Sequence, residues 1–389
     1  MTDLDQLLPL WNQLRESRAE YVLATVVAVE GSGYRKPGAR MLIAADGRRA
    51  GTISGGCLEA EVARKAFWHT ENGSVLRRYS TSAEEGEVPF GMGCGGIVHL
   101  LLERALTANA QLERLAASFA GRQPMAIATV LEGEWVGRRA FWGRRDSDGR
   151  SEATDSPTAD GLVGTVLQSL ACQAFEEQRS FSQAIHAEDG QVVLAWAEWR
   201  PARPGLFVFG AGDDAIPLVR QARQLGWYVA VADGRSHLAT RARFPEAHDV
   251  HLLLPGEFPD LRMRPTDFAA VLTHSLEQDT GILGALMRQK LAYTGVLGPQ
   301  RRTREMLATL AVDLGLPQSR LDAQIEQQIE QWMGRIHAPM GLDLGGDTPA
   351  DIALTVIAEM QQVRHQASGL SLRQVRAGRV EQRTPLTLR

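Results

Sequence analysis

The sequence predicts an α/β protein in two parts, a mixed α+β N-terminal domain followed by a Rossmann-like domain with a parallel sheet. Three observations predict it. An apolar run at residues 206–209 leads into Gly210-Ala211-Gly212-Asp213-Asp214-Ala215, which fits the G-x-G-x-x-G/A form and opens a helical pattern to about residue 225. Strand-like and helical segments then alternate as far as about residue 365. Upstream, strand-like runs are joined by glycine turns instead, and Arg200-Pro201-Ala202-Arg203-Pro204-Gly205 forms a short proline-rich boundary. The expected division is a domain over 1–200, a Rossmann-like domain over 201–365 and a loose basic tail over 366–389, where periodicity is lost.

In the first part, Leu7, Leu8, Leu10, Trp11 and Leu14 fall at helical spacing and predict a helix over 4–18. Residues 21–29 are apolar and β-branched, a buried strand. The loop 30–38 carries Arg35 and Lys36 among glycines. Two cations there can hold a phosphate or carboxylate, and they equally suit a solvated loop. A β-type run over 40–53 turns at Asp46-Gly47. It ends in Gly51-Thr52-Ile53-Ser54-Gly55-Gly56-Cys57-Leu58-Glu59, and a helical pattern follows over 58–68. A second turn, Gly91-Met92-Gly93-Cys94-Gly95-Gly96, precedes a β run at 97–102. Next come a helix over 109–119 and a strand over 125–131. A polar hairpin with a surface loop is expected over 132–157, then a helix over 164–177 and a strand over 192–199. Beyond the two cysteine turns, no internal repeat shows as a period.

Those turns carry the chemistry. Paired glycines let the backbone bend tightly and approach a ligand. A cysteine opening a helix feels the positive end of the dipole, which favours thiolate. Cys57 and Cys94 thus read as soft ligands or nucleophiles beside anion-accepting loops. The same features fit tight turns around small buried cysteines. Cys172, in a helical pattern, is expected in the core.

In the second part the pattern continues with strands at 228–232, 250–253, 269–272 and 293–297. Helices are expected at 280–287, 302–313, 319–332 and after Pro349, with Thr348 as cap. Asp233 lies where a dinucleotide fold places its ribose-binding carboxylate, and a strand-end cap is the alternative. Asp213 and Asp214 count against ordinary NAD binding, because they sit where a pyrophosphate would meet the helix N-terminus. His274, after the 269–272 strand, and Arg301 with Arg302, after the 293–297 strand, lie at the ligand-binding edge of such a sheet. Structural and solvated roles remain open for each. His248, His251 and His337 have no partner at metal-ligand spacing. No catalytic triad is legible.

Composition narrows the class. The chain has 389 residues, 44% hydrophobic and 23% charged, with a net charge of −4 and three cysteines. Arginine and acid are interspersed, which argues against non-specific nucleic-acid binding. There is no bilayer-length apolar run and no signal-peptide layout at the start. An odd cysteine number is no disulfide framework, so a reducing cytoplasm is the expected location.

Taken together, Gly38-Ala39-Arg40-Met41, the 51–59 turn and Gly93-Cys94-Gly95-Gly96 resemble the XdhC/CoxI domain. Gly210-Ala211-Gly212, Thr273-His274, Gly298-Pro299-Gln300-Arg301-Arg302 and Met340-Gly341-Leu342-Asp343-Leu344-Gly345 resemble the Rossmann domain of the same proteins. The resemblance implies an accessory factor for molybdenum hydroxylases such as xanthine dehydrogenase. Such a factor binds and protects molybdenum cofactor, supports its sulfuration with a cysteine desulfurase as donor, and passes it to the apo-hydroxylase. It also implies a homodimer.

Carried over by residue, Cys57 and Cys94 would contact the cofactor and its metal, with Arg40, Gly55, Gly56, Gly95 and Gly96 around them. Gly210, Gly212, Asp233, His274 and Arg301 would form the Rossmann-domain site, for the pterin or a nucleotide. Two departures stand out. Asp213 occupies a position where many relatives have histidine, and Gly33-Tyr34 replaces a serine–proline pair. The competing expectation is an NAD(P)-dependent oxidoreductase built on Gly210, Gly212 and Asp233. A nucleotidyltransferase lacks the acidic metal cluster and phosphate-binding lysine loop it would need.

Overall fold

The structure, a computed structural model, describes residues 3–56, 58–80, 96–144, 151–154, 161–187, 189–254, 258, 261–313 and 321–377. The chain divides into two compact units, one ending at Arg203 and the other beginning at Pro204.

The first unit holds two five-stranded antiparallel sheets. Helix α1 (Asp3–Glu16) precedes β1 (Tyr21–Glu30), β2 (Arg40–Ala44), β3 (Arg49–Gly51), α2 (Glu59–His69), β4 (Val75–Ser80) and β5 (Ile97–Arg104). Helix α3 (Ala105–Ala120) precedes β6 (Met125–Val130), β7 (Arg139–Arg144), β8 (Ser151–Thr154), α4 (Gly161–Glu176), β9 (Phe181–His186) and β10 (Val192–Arg200). The sheet orders are β3-β2-β1-β5-β4 and β8-β7-β6-β10-β9. These are two copies of one connectivity, an internal repeat that corrects the expectation of none.

The registers agree residue by residue. Thr25 pairs with Arg40 as Thr129 pairs with Arg139, and Leu23 pairs with Glu103 as Ile127 pairs with Glu198. Strand alternation then distributes the apolar side chains alike in both copies. Tyr21 and Leu23, with Met125 and Ile127, join the core shared with α1 and α3. Val22, Ala24 and Val26 pack towards α2, and Ala126, Ala128 and Val130 towards α4. Val27 and Leu131 meet Leu101 and Trp196 in a small cluster between the sheets.

The second unit is a five-stranded parallel sheet, order β13-β12-β11-β14-β15. Its strands are β11 (Gly205–Phe209), β12 (Tyr228–Asp233), β13 (Asp249–Leu252), β14 (Phe268–Val271) and β15 (Tyr293–Val296). Helices α5 (Ala215–Gln224) and α9 (Pro349–His365) cover one face. Helices α6 (Leu276–Met287), α7 (Gln300–Asp313) and α8 (Leu321–Met333) cover the other. Leu206 and Val208 point to the first layer, Phe207 and Phe209 to the second. The order reverses between β11 and β14, which makes their carboxyl ends the switch point where such sheets bind ligands.

Ser275 caps α6, its hydroxyl accepting from the Gln278 amide at 3.3 Å, so the helix begins before the expected residue 280. Thr348 and Asp351 form a capping box on α9 with Pro349 in its first turn. The expected tail contains a short helix, α10 (Leu372–Ala377); residues 378–389 lie outside the described residues. No described helix is long and apolar enough to cross a membrane.

Candidate functional site

The register of the first sheet decides where the cysteine turns originate. Gly51 pairs with Met41, Glu30 with Ile97, and Ile97 with Ser80. The connections 31–39, 52–58 and 81–96 therefore all leave one edge of this sheet. Cys57, Cys94 and Gly95 themselves lie outside the described residues. The residues bracketing them converge on a single loop. The Tyr34 ring lies 3.6 Å from where a Cβ on Gly55 would stand, and the Ser32 carbonyl oxygen lies 2.2 Å from the same position on Gly96. Only glycine at 96 permits that approach. Gly56 is exposed, with open space where a side chain would be. Tyr34 is 78% exposed.

A pair of residues braces the first turn. Glu59, opening α2, accepts from the Ile53 and Ser54 amides at 3.2 and 2.9 Å and from the Ser54 hydroxyl at 2.5 Å. Ser54 Oγ in turn accepts from the Gly56 and Leu58 amides at 3.3 and 3.1 Å. Burial pushes the Glu59 carboxyl up, but the hydrogen bonds from Ser54, its own amide and Ile53 outweigh it and hold the group below its ordinary value. Sequence reasoning missed this brace. Its only signal was a serine and a glutamate flanking the turn.

Arg40 is buried. Its guanidinium donates to Glu198 through both terminal nitrogens, at 3.0 and 2.5 Å, to the Gly38 carbonyl at 2.8 Å and to Gln111 at 3.3 Å. The structure thus gives Arg40, which the resemblance set among the cofactor-binding residues, an internal carboxylate partner. Of the neighbouring loop cations, Arg35 pairs with Asp3, whereas Lys36 is exposed with no ion-pair partner among the described residues. Cys172 is half-buried on α4 and donates to Glu176 at 3.6 Å, a correction to the core position expected. Burial and the Glu176 carboxylate push its thiol up.

At the switch point of the second unit, Gly210 adopts φ +129°, and the Leu272 carbonyl lies 2.4 Å from where its Cβ would stand. The glycine is thus required by close strand-end packing. Asp233 is fully buried and both its oxygens are used. Oδ1 accepts from the Arg235 amide and Nε at 2.8 and 3.0 Å, and Oδ2 from the Ala211 amide and the Arg235 terminal nitrogen at 2.6 and 2.8 Å. The strand-end role, not the ribose role, accounts for this geometry. Burial raises the carboxyl, and Arg235 with the Ala211 amide brings it below its ordinary value.

Nearby, His274 stands at φ +64° with Nε2 3.0 Å from Asp214 Oδ2. Gly212 has Asp214 Oδ1 2.6 Å from where its Cβ would be. Asp213 pairs with Arg243 at 2.7 Å, and Arg302 is committed to the buried Asp279 at 2.6 Å. Arg301 is exposed, with no ion-pair partner among the described residues. No cluster of three or more His, Cys, Asp or Glu among the described residues could hold a metal ion.

Comparison with known proteins agrees with both units. A family model described as the XdhC and CoxI family matches residues 14–80, and one described as the XdhC Rossmann domain matches residues 206–360. The chain is 29% identical to a protein of Bacillus subtilis named as a probable xanthine dehydrogenase subunit, over 90% of this chain and 95% of that one. It is 32% identical to the molybdenum cofactor insertion chaperone PaoD of Escherichia coli, over 23% of this chain and 27% of that one. A crystal structure described as a xanthine dehydrogenase from Bacillus halodurans matches with a TM-score of 0.68 at 26% identity, covering 96% of this chain and 98% of that one.

Proposed function

The chain belongs to the XdhC and CoxI family, and from that premise we propose that it is a maturation factor that carries molybdenum cofactor and passes it to a molybdenum hydroxylase such as xanthine dehydrogenase. One observation carries the reading. Two glycine turns, each adjoining a cysteine in sequence, abut the same loop at the same sheet edge. The relatives' names point the same way, since one is a cofactor insertion chaperone and the other belongs to xanthine dehydrogenase.

The cargo is an anionic pterin with a dithiolene and a phosphate. The described residues at this edge suit it. Tyr34 offers an exposed ring for a planar heterocycle. Lys36 and the glycine backbone amides offer donors for the phosphate. Beyond the described residues, Cys57 and Cys94 would supply thiolates, which suit a thiophilic metal or a sulfur-transfer step. In this reading the protein binds and shields its cargo, supports its sulfuration with a cysteine desulfurase as sulfur donor, works as a homodimer in the cytoplasm, and turns over no substrate alone. The Rossmann-like unit has a ligand site of its own, for a pterin or a nucleotide, at Arg301, His274 and the Gly210 turn.

The test is equilibrium binding of isolated molybdenum cofactor to the wild type and to the double variant C57A/C94A, with a parallel NADH fluorescence titration. The expected result is at least tenfold weaker cofactor binding by a folded double variant, and no micromolar NADH binding by either protein. Unchanged cofactor affinity would remove the thiolate role. NADH binding with hydride transfer would favour the oxidoreductase instead.

A further inference from the structure

The repeat in the first unit carries an exchange of charges. Arg40 of the first copy is paired with Glu198 of the second, and Arg139 of the second is paired with Glu103 of the first. All four side chains are buried, and their strand registers are equivalent. Gln111 joins the two pairs, accepting from Arg40 at 3.3 Å and donating to Glu103 at 3.0 Å. The copies differ in what leaves the sheet. In the first, the helix-preceding connection 52–58 and the segment 81–96 between β4 and β5 carry Cys57 and Cys94. In the second, the matching segments 155–160 and 187–191 carry no cysteine.

We propose that Glu198, supplied by the cysteine-free copy, is a positioning residue for the first cysteine turn, 52–58, of the other copy. Its Oε1 lies 2.8 Å from where a Cβ on Gly38 would stand, and Arg40 ties the same carboxylate to the Gly38 carbonyl. Gly38 ends the loop against which Gly55 and Gly96 rest. The backbone carbonyl of Arg40 lies 2.2 Å from the Cβ position of Gly51, the residue from which the first cysteine turn departs. One carboxylate therefore fixes the root of the central loop and, through Arg40, the root of the cysteine turn. Arg200 holds that carboxylate from a further side at 2.9 Å. The twin carboxylate, Glu103, sits 3.2 Å from the Cβ position of Gly137 in the same manner, at an edge without cysteines.

The inference rests on the carrier reading of this edge, but its test reads thiol chemistry rather than cofactor, so either can fail alone. The twin provides an internal control. Full-length E198Q, E198D and E103Q would be alkylated with iodoacetamide, and the rate at Cys57 would be measured by mass spectrometry relative to Cys172 in the same chain. Thermal unfolding would be followed in parallel. E198Q is expected to change the Cys57 to Cys172 rate ratio at least threefold, with E198D moving it back towards the wild type. E103Q is expected to lower the melting temperature comparably and leave the ratio unchanged. Equal shifts in both variants, or none in E198Q, would overturn the proposal. Should E198Q not fold, G38A and G137A replace the pair, since each presses on one carboxylate. The ratio is expected to change only in G38A, and the same change in G137A would overturn the proposal.

Discussion

Ser54 and Glu59 show how much a turn depends on one hydroxyl and one carboxylate. Between them they receive four backbone amides around the first cysteine turn. Ser54→Ala leaves the Gly56 and Leu58 amides short of an acceptor and is expected to cost about 1–3 kcal/mol in urea unfolding. The pH dependence of Glu59 has a definite sign. Its folded pKa lies below its unfolded value, so the brace contributes fully above the unfolded pKa and is lost as pH falls through the folded one. Glu59→Gln is therefore expected to lower stability at neutral pH and flatten its acid-side dependence, measured by urea midpoints at several pH values. An acid-side slope equal to that of the wild type would refute the brace. Asp233→Asn tests the other unit. It weakens the charged hydrogen bonds to Arg235 and is expected to cost about 1.5–3 kcal/mol. It is expected to leave cofactor binding within twofold, because the carboxylate is spent inside the fold.

At the scale of elements, close backbone approach is what the glycine turns enforce. Gly51 has φ +80° with a carbonyl against its Cβ position, while Gly47 has φ +89° with open space around it. Gly51→Ala should destabilise by more than the roughly 1–3 kcal/mol of backbone strain expected for Gly47→Ala, as read by thermal unfolding. Equal effects would mean that the Arg40 carbonyl can give way. The elements legible in the sequence were the ones with a clear period or cap. These include the apolar strand β1, the glycine turn before α5, and Thr348 with Pro349 ahead of α9. Strands β4 and β9 were not legible, because each is a sheet edge whose exposed residues, Arg77 and Arg78 or Gln183 and Ala184, break the alternation.

At the scale of the molecule, the repeat was hidden for a related reason. What the two copies share is register and a buried polar set, Thr25, Arg40 and Glu103 against Thr129, Arg139 and Glu198. Their loops share little. A buried arginine also reads in sequence as a solvated or ligand-binding one, so the resemblance placed Arg40 beside the cofactor and gave no sign of its internal partner. The glycine turns of the candidate site were legible, and their supports were not, because they come from distant strands. The crossed pairs bind the two sheets energetically. Removing one carboxylate from such a buried pair typically costs about 3–5 kcal/mol. E103Q is expected to lower hydrogen-exchange protection in β1 and β6 together. Loss confined to one sheet would contradict the coupling.

The carrier account is tested most directly by purifying the full-length protein from a molybdate-fed host, with metal analysis and fluorescence detection of the oxidised pterin. The account predicts molybdenum and pterin in matching amounts in the wild type, and both strongly reduced in a folded C57A/C94A variant. A wild-type protein that emerges with neither, from a host making ample cofactor, would contradict it.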